Sequence, residues 1–457
     1  MEHASLSLTG SVQRTFWRFA IQSVAGMLVN GLYQVIDGLF VGHYVGANGL
    51  AAMNLAWPIL GLIIGFGILV GMGGGAIMSQ QRGAGDEAKA SSSLTASLWL
   101  ILLLSIVSSG YLALSGSQLL TLQGAEATAY QWALDYISVF QWGAIMAIAS
   151  GALPMLVRND DRPNLATLLL GIGALLNIVL DYLMLGHWNL GLKGAAIATV
   201  ISQATVAVFA LLYFCSNKAS IRLALEFINL KQLMQVLKTG SSGLVMFLYF
   251  SFIVAAHNTL LLKYGSVEYV SAFAIINYIA LLYYLIAEGL ANGIQPPVSY
   301  FYGAKQPKHI KTTMILALKI VLGLGLCTTL IANIFSEQLT GLFTTEQNQE
   351  LVQITIEGMR LHLFALCLDG FLFVASVYFL SVGQNREAML VALGNIVIQI
   401  PFLLAFPAVL GTQGIWLALP LSNVVLSIIV APILIRSLSH RTEPVVEMKT
   451  KQGLPFF

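Results

Sequence analysis

Apolar residues run along this chain in long unbroken blocks rather than in alternation. About twelve blocks are long enough to cross a hydrocarbon layer as a helix, which takes roughly 20 residues. They centre on residues 16–40, 50–78, 93–114, 130–152, 164–185, 192–214, 237–261, 270–300, 312–334, 356–382, 389–409 and 414–435. Polar or Gly/Pro punctuation separates them, as at Arg82-Gly83-Ala84-Gly85-Asp86 and Gly303-Ala304-Lys305-Gln306-Pro307. A transmembrane barrel would instead show segments of roughly ten residues with alternating hydrophobicity. The pattern predicts an all-α polytopic membrane protein, since helices satisfy their own backbone in lipid.

Composition sharpens this. Of the 457 residues, 57% are hydrophobic and 9% charged, with a mean hydropathy of +0.82. Soluble domains run near ~25% charged, so a soluble surface could not be built from this inventory, and disorder needs the opposite balance. A net charge of +2 gives no general pull toward nucleic acid. Cys215, Cys327 and Cys367 are scattered in or beside apolar runs and read as small core hydrophobes. The first run, about 16–45, is too long for a signal-peptide core and has no A-x-A site after it, so it reads as a span.

With twelve spans, 19 of the 22 Lys and Arg residues fall on the side that carries the N-terminus. Lys193, Lys263 and Arg360 fall on the other. By the positive-inside rule the crowded side is cytoplasmic, and both termini lie there.

The chain also repeats at an offset near 220. Val45-Gly46, Ala51-Ala52 and Gly83-Ala84 return as Tyr264-Gly265, Ala272 and Gly303-Ala304. Asn177-Ile178-Val179-Leu180-Asp181 returns as Asn395-Ile396-Val397-Ile398-Gln399, and Gly194 through Ser202-Gln203 as Gly414 through Ser422-Asn423. Six spans per half is an even number, so the halves insert the same way up. They should form two six-helix lobes, 1–222 and 223–457, related by an axis along the membrane normal. Residues 215–236 read as the polar loop that joins them. Glycines 61, 65, 67, 71 and 75, some spaced by four, read as helix-packing positions.

Four acids are stranded inside apolar runs: Asp37, Asp181, Glu288 and Asp369. A carboxylate in a span costs several kcal/mol and usually faces a bundle interior or a watery cavity. Asp37 and Asp181 both fall in the outer half of the first lobe, and Asn177 lies one turn before Asp181 on the same helix face. Two carboxyls in one partly dry pocket repel each other and lose hydration, so such a pair suits holding a proton or trading it for a cation. In the repeat Asp37 falls near His257, and Asp181, by the match of Asn177–Asp181 with Asn395–Gln399, falls on Gln399. The carboxylates are thus peculiar to one lobe, which favours function over shared scaffolding. Histidine titrates near neutrality, although a lone buried histidine is more often simply hydrogen-bonded.

At these residues the chain resembles the multidrug and toxic compound extrusion (MATE) family. Gln34-Val35-Ile36-Asp37-Gly38-Leu39-Phe40-Val41-Gly42 is similar to that family's first span. Asn177–Asp181 with Gly194-Ala195-Ala196-Ile197-Ala198-Thr199 is similar to its fifth and sixth, and Gly293-Ile294-Gln295-Pro296-Pro297-Val298-Ser299-Tyr300 with Tyr302-Gly303-Ala304 to its eighth. The details resemble the DinF branch most. The resemblance implies a V-shaped antiporter of a bacterial or archaeal cytoplasmic membrane, acting as a monomer. It would expel amphiphilic, often cationic drugs against H⁺ or Na⁺ and need no further cofactor. By motif position Asp37, Asn177, Asp181 and Thr199 match the family's first-lobe cation site, and Ala198 would offer it a backbone carbonyl. Asn30, Tyr136 and Ser202 match polar positions lining the same cavity. Asp369 matches a tenth-span acid used in another branch, while His257 stands where that branch has a seventh-span acid. The first span has no proline, the first in the chain being Pro58, so a bend there would need Gly26 or Gly31.

Other readings have weaker footing. A flippase for lipid-linked precursors, from the same superfamily, should carry buried Arg or Lys for pyrophosphate, and the bases here sit almost all at span ends. An intramembrane protease is suggested only by the GxGD string Gly83-Ala84-Gly85-Asp86, which has no partner aspartate in a suitable span. There is no Walker A sequence, no HExxH and no usable GxSxG, so neither ATP drive nor hydrolysis is expected of this chain.

Overall fold

The computed structural model describes residues 11–122, 127–223, 230–343 and 349–440. They form helices and connecting turns. In chain order these are α1 (Val12–Tyr44), α2 (Ala47–Gly83), α3 (Glu87–Leu122), α4 (Ala127–Asn159), α5 (Pro163–Asp181), α6 (Gly191–Cys215), α7 (Leu230–Tyr264), α8 (Val267–Gly303), α9 (Pro307–Ile334), α10 (Ser336–Gly341), α11 (Gln349–His362), α12 (Leu366–Ser381), α13 (Asn385–Leu410) and α14 (Thr412–His440). Eleven helices are each long and apolar enough to cross a membrane, and α11 with α12 makes a twelfth crossing bent by 47°. The first lobe comprises α1–α6 and the second α7–α14.

Several expectations change. The cysteines are not core positions, since Cys215 and Cys327 are exposed and Cys367 is half-buried. The polar joining loop is shorter than 215–236, because α7 is already helical from Leu230. Residues 224–229, and with them part of the loop, lie outside the described residues, as do Arg441, Lys449 and Lys451. The tenth span is not one helix over 356–382. It breaks after His362, where no proline or glycine signals it. The exposed backbone is met from outside: the Thr329 hydroxyl of α9 donates to the Leu363 carbonyl at 2.8 Å, and His362 Nδ1 lies 3.2 Å from the Trp416 carbonyl of α14. The first span runs unbroken through Gly26 and Gly31. Gly26 instead packs on Leu170 of α5, and Gly31 on Leu285 of α8.

The two-fold relation predicted from the repeat is written into the packing. Gly83 of α2 sits directly against the Tyr300 carbonyl of α8, and Gly303 of α8 against the Gln80 carbonyl of α2. Each residue of one contact lies 220 positions from its counterpart in the other. A Cβ at either glycine would strike backbone, so only glycine allows the two helices to approach this closely. Within the first lobe, Gly67 and Gly71 let α2 lie against Ile148, Gly151 and Ala152 of α4.

Hydrogen bonds between the lobes gather at the end that bears the N-terminus, here the basic face. Ser92 of α3 donates to Gln232 of α7 at 2.6 Å, Gln80 of α2 to the Ser381 carbonyl at 2.9 Å, and Asn159 of α4 to Gln295 of α8 at 2.9 Å. Toward the other face α1 presents Leu32, Val35 and Leu39 to the surroundings. The close glycine contacts between the lobes, at Gly83, Gly240, Gly293 and Gly303, lie toward the basic face, so the lobes meet there.

The turn after α4 fastens the start of the joining segment. Asp160 is fully buried. Its carboxylate accepts from the Tyr213 hydroxyl at 2.6 Å and from the backbone N–H groups of Ser220 and Ile221 at 2.8 and 3.0 Å. Next to it Arg18 reaches the Asp161 carboxylate and carbonyl at 3.0 and 2.9 Å. Burial pushes both carboxyls above the ordinary aspartate range, against the pull of Arg82 on both and of Arg18 on Asp161. Asp160→Asn turns part of the acceptor into a donor facing other donors. It should cost about 1–3 kcal/mol, a penalty typical of an unmet buried polar group, read as a lower Tm in detergent with the lobes otherwise intact.

Candidate functional site

The register of α1 on α5 creates the site. The two helices run the same way. Thr167 of α5 donates to the Gln22 carbonyl of α1 at 2.7 Å, and Leu170 fills the space beside Gly26. Fifteen residues above Gln22 is Asp37, and fourteen above Thr167 is Asp181. At 1.5 Å rise per residue the two carboxyls reach the same level. They are close enough to interact directly with one another.

Both are withdrawn from solvent, Asp37 at 6% exposure and Asp181 at 0%. No N–H or O–H donor among the described residues reaches either oxygen of Asp181 or the buried oxygen of Asp37. Asn177, one turn below Asp181, donates through Nδ2 to the Thr199 hydroxyl of α6 at 3.4 Å, and its own Oδ1 has no donor. Thr199 in turn donates to the Ala195 carbonyl at 3.0 Å. From α4, Tyr136 brings its hydroxyl to Thr199 and within electrostatic reach of both carboxyls. Tyr33 of α1, one turn before Asp37, is also near both. A buried charge left unpaired costs several kcal/mol. Two such carboxyls side by side must be neutralised by a shared proton or by a cation drawn between them. The remaining oxygens, of an amide and a hydroxyl, are hard donors of the kind alkali and alkaline-earth cations accept.

Asp37, Asn177, Asp181, Thr199 and Tyr136 are thus brought together. Ser202 lies one turn beyond Ala198 on α6 and donates to its carbonyl at 2.9 Å. The Ala198 carbonyl is therefore already engaged by a side chain. Asn30 is half-buried and lies two turns before Asp37 on the same face of α1. Tyr33 escaped the sequence reading, although its position four residues before Asp37 was the available signal. So did the π-helical turn Tyr182–His187 that follows Asp181 at once. Such turns are rare and often mark functional sites.

The second lobe treats its polar residues differently. Asp369 accepts from the Tyr284 hydroxyl of α8 at 2.8 Å and from the Asn423 amide of α14. His257 is fully buried, with Nδ1 2.9 Å from the Ile253 carbonyl. Its ring stacks on Phe273 at 5.0 Å and lies 5.3 Å from that of His362. It belongs to an aromatic core in the other lobe from the paired carboxyls. Glu288 is half-buried on α8, beside the Asn292 amide one turn on. Asp86 of the GxGD string pairs with Lys89 at 2.6 Å and accepts the Lys89 backbone N–H at 3.0 Å, the ordinary work of a helix cap.

The MatE family model matches residues 23–183 and again 243–404, once in each lobe and about 220 residues apart. The chain belongs to the MATE family. It is therefore a membrane transporter and not an enzyme. Among this MATE protein's relatives is the multidrug export protein MepA of Staphylococcus aureus, 24% identical over 410 residues that cover 88% of this chain and 89% of MepA. Among solved structures, an outward-facing multidrug resistance MATE transporter is 24% identical and superimposes with a TM-score of 0.89, covering 97% of this chain and all of that one. A Pyrococcus furiosus transporter of the MOP superfamily, reported with a binding pocket of reverse polarity and a suggested different function, is 23% identical with the same score and coverage. Likeness at this level of identity shows a shared fold alone, so function has to be argued from side chains.

Proposed function

We propose that this transporter exports amphiphilic, mainly cationic compounds from the cell in exchange for protons. The observation that carries this is the Asp37/Asp181 pair, buried on facing helices with three oxygens that no donor reaches. In this reading the basic face is cytoplasmic. Protons entering from outside neutralise the pair and favour drug release. The lobes then rock so that the cleft opens inward, the proton leaves to the cytoplasm, and the carboxylates are again ready for drug. Coupling needs only that proton and drug favour different states. The relation to multidrug export proteins such as MepA supports the substrate class.

A second reading is favoured by one observation. The free Asn177 Oδ1 beside the two carboxylates is a hard oxygen that would complete a set of ligands for Na⁺. Drug efflux from proteoliposomes, driven separately by a pH gradient at equal Na⁺ and by a Na⁺ gradient at equal pH, decides between them. The proton reading expects efflux only with the first. Efflux only with the second gives the site to Na⁺, and none with either overturns secondary transport of the tested drugs.

A further inference from the structure

The last turn of α4 reaches across to the second lobe at two adjacent residues. Asn159 and Gln295 of α8 exchange amide hydrogen bonds in both directions: Asn159 Nδ2 to Gln295 Oε1 at 2.9 Å and Gln295 Nε2 to Asn159 Oδ1 at 3.1 Å. Both residues are buried. The pair is held from each side. Ser79 of α2 donates to Asn159 Oδ1 at 2.7 Å, and Gln295 Nε2 also reaches Ser299 Oγ at 3.2 Å. Beside it, the buried Arg158 places Nη1 3.5 Å from the Asn292 carbonyl of α8.

That carbonyl has a particular origin. In a regular helix it would accept from the residue four positions on. Here that residue is Pro296, which has no N–H. The proline in α8 thus exposes an acceptor within the helix, and a cation from the opposite lobe takes it up. The arrangement is also one-sided. The repeat places Gly75 opposite Gln295, and the matching ends of α4 and α12 place Ser381 opposite Asn159, so the second lobe holds no equivalent pair of amides. Asn159 packs directly on Gly75, where an added Cβ would strike its amide.

We infer that Asn159 and Gln295, with Arg158 on the Asn292 carbonyl, form the latch of the basic-face gate. They are positioning residues: they set the balance between the two states of the transport cycle and touch neither drug nor coupling ion. When the cleft opens to the basic face the two amides must part. Each then faces water instead of its partner, so the latch is reversible. The inference rests on the alternating-access reading above.

The test is a distance between the lobes at the basic face. Lys89 at the start of α3 and Lys308 at the start of α9 are both exposed and belong to different lobes. Spin labels are attached through Lys89→Cys and Lys308→Cys in a full chain whose Cys215, Cys327 and Cys367 are replaced by alanine. Gln295→Met keeps the volume and removes both bonds. It should raise the population with widely separated labels roughly tenfold, the effect expected of two buried hydrogen bonds, without any substrate or gradient. Asn159→Leu should do the same, and the double variant should add little further. If Gln295→Met does not reach the membrane, Gln295→Asn, whose amide is too short to span the lobes, is measured in its place. Unchanged distances in the folded variants, or full additivity in the double variant, overturn the latch. Labels that never separate in the unaltered pair of lobes under any imposed gradient would overturn alternating access instead.

Discussion

Asp37→Asn and Asp181→Asn should each reduce gradient-driven drug efflux about 10- to 100-fold, at normal protein levels. Each substitution keeps the size and polarity of the side chain and removes only the ability to change charge. A transport cycle that exchanges drug for a coupling ion depends on the free energy between those two events, typically 1–3 kcal/mol or about 5–150-fold. Fixing one carboxyl in a neutral form removes the competition at that residue. The other is relieved of its like-charged neighbour, so the two singles should not differ greatly and the double should be no worse than either. Drug binding in the absence of a gradient should persist in both, which separates lost coupling from a collapsed pocket. Counterflow and net efflux in proteoliposomes measure the two. An Asp181→Asn protein with full uphill efflux would remove the pair from the mechanism.

Gly303→Ala should be nearly as damaging, for a different reason. Its new methyl group would meet the Gln80 carbonyl, which is backbone and cannot rotate away. Overpacking of this kind costs about 1–3 kcal/mol. The cost falls only on the state in which α2 and α8 touch, so it should shift the lobes roughly 5- to 150-fold toward opening at the basic face. Transport should fall with it, while the protein remains folded in the membrane. Gly61→Ala, in the same helix as Gln80 but with open space around the position, serves as the control and should transport normally. Equal activity of the two variants would mean that the close approach of α2 and α8 is not part of the cycle.

What was legible in the chain follows a simple physical division. Spans and the repeat were visible because lipid demands long apolar runs, and the lobes share one pattern. Asp37 and Asp181 stood out because a carboxyl in such a run is costly enough to be rare. Their meeting was also within reach, since both lie in the outer half of spans that rise in the same direction. Tyr136, Ser202 and Asn30 came forward only through resemblance, because tyrosine, serine and asparagine are common in spans and carry little signal alone. The Asn159–Gln295 pair was invisible for the same reason: an amide near a span end looks like ordinary punctuation until a partner from the other lobe is seen against it. The break between α11 and α12 was hidden because it needs no proline or glycine. It is held by Thr329 and by the Trp416 carbonyl, both distant in sequence.

That break has an electrical consequence. It starts a new helix in the interior of the second lobe, and Asp369 stands in its first turn. The start of a helix carries roughly half a positive elementary charge from its aligned peptide dipoles. The second lobe therefore meets its half-buried acid with a fixed positive pole as well as with Tyr284 and Asn423. The first lobe gives Asp181 no such pole, because α5 runs straight on into the π-helical turn Tyr182–His187 and Asp181 lies inside one continuous helical run. One acid is thus given its compensation permanently by the fold. The other is placed where only something arriving from outside the protein can supply it.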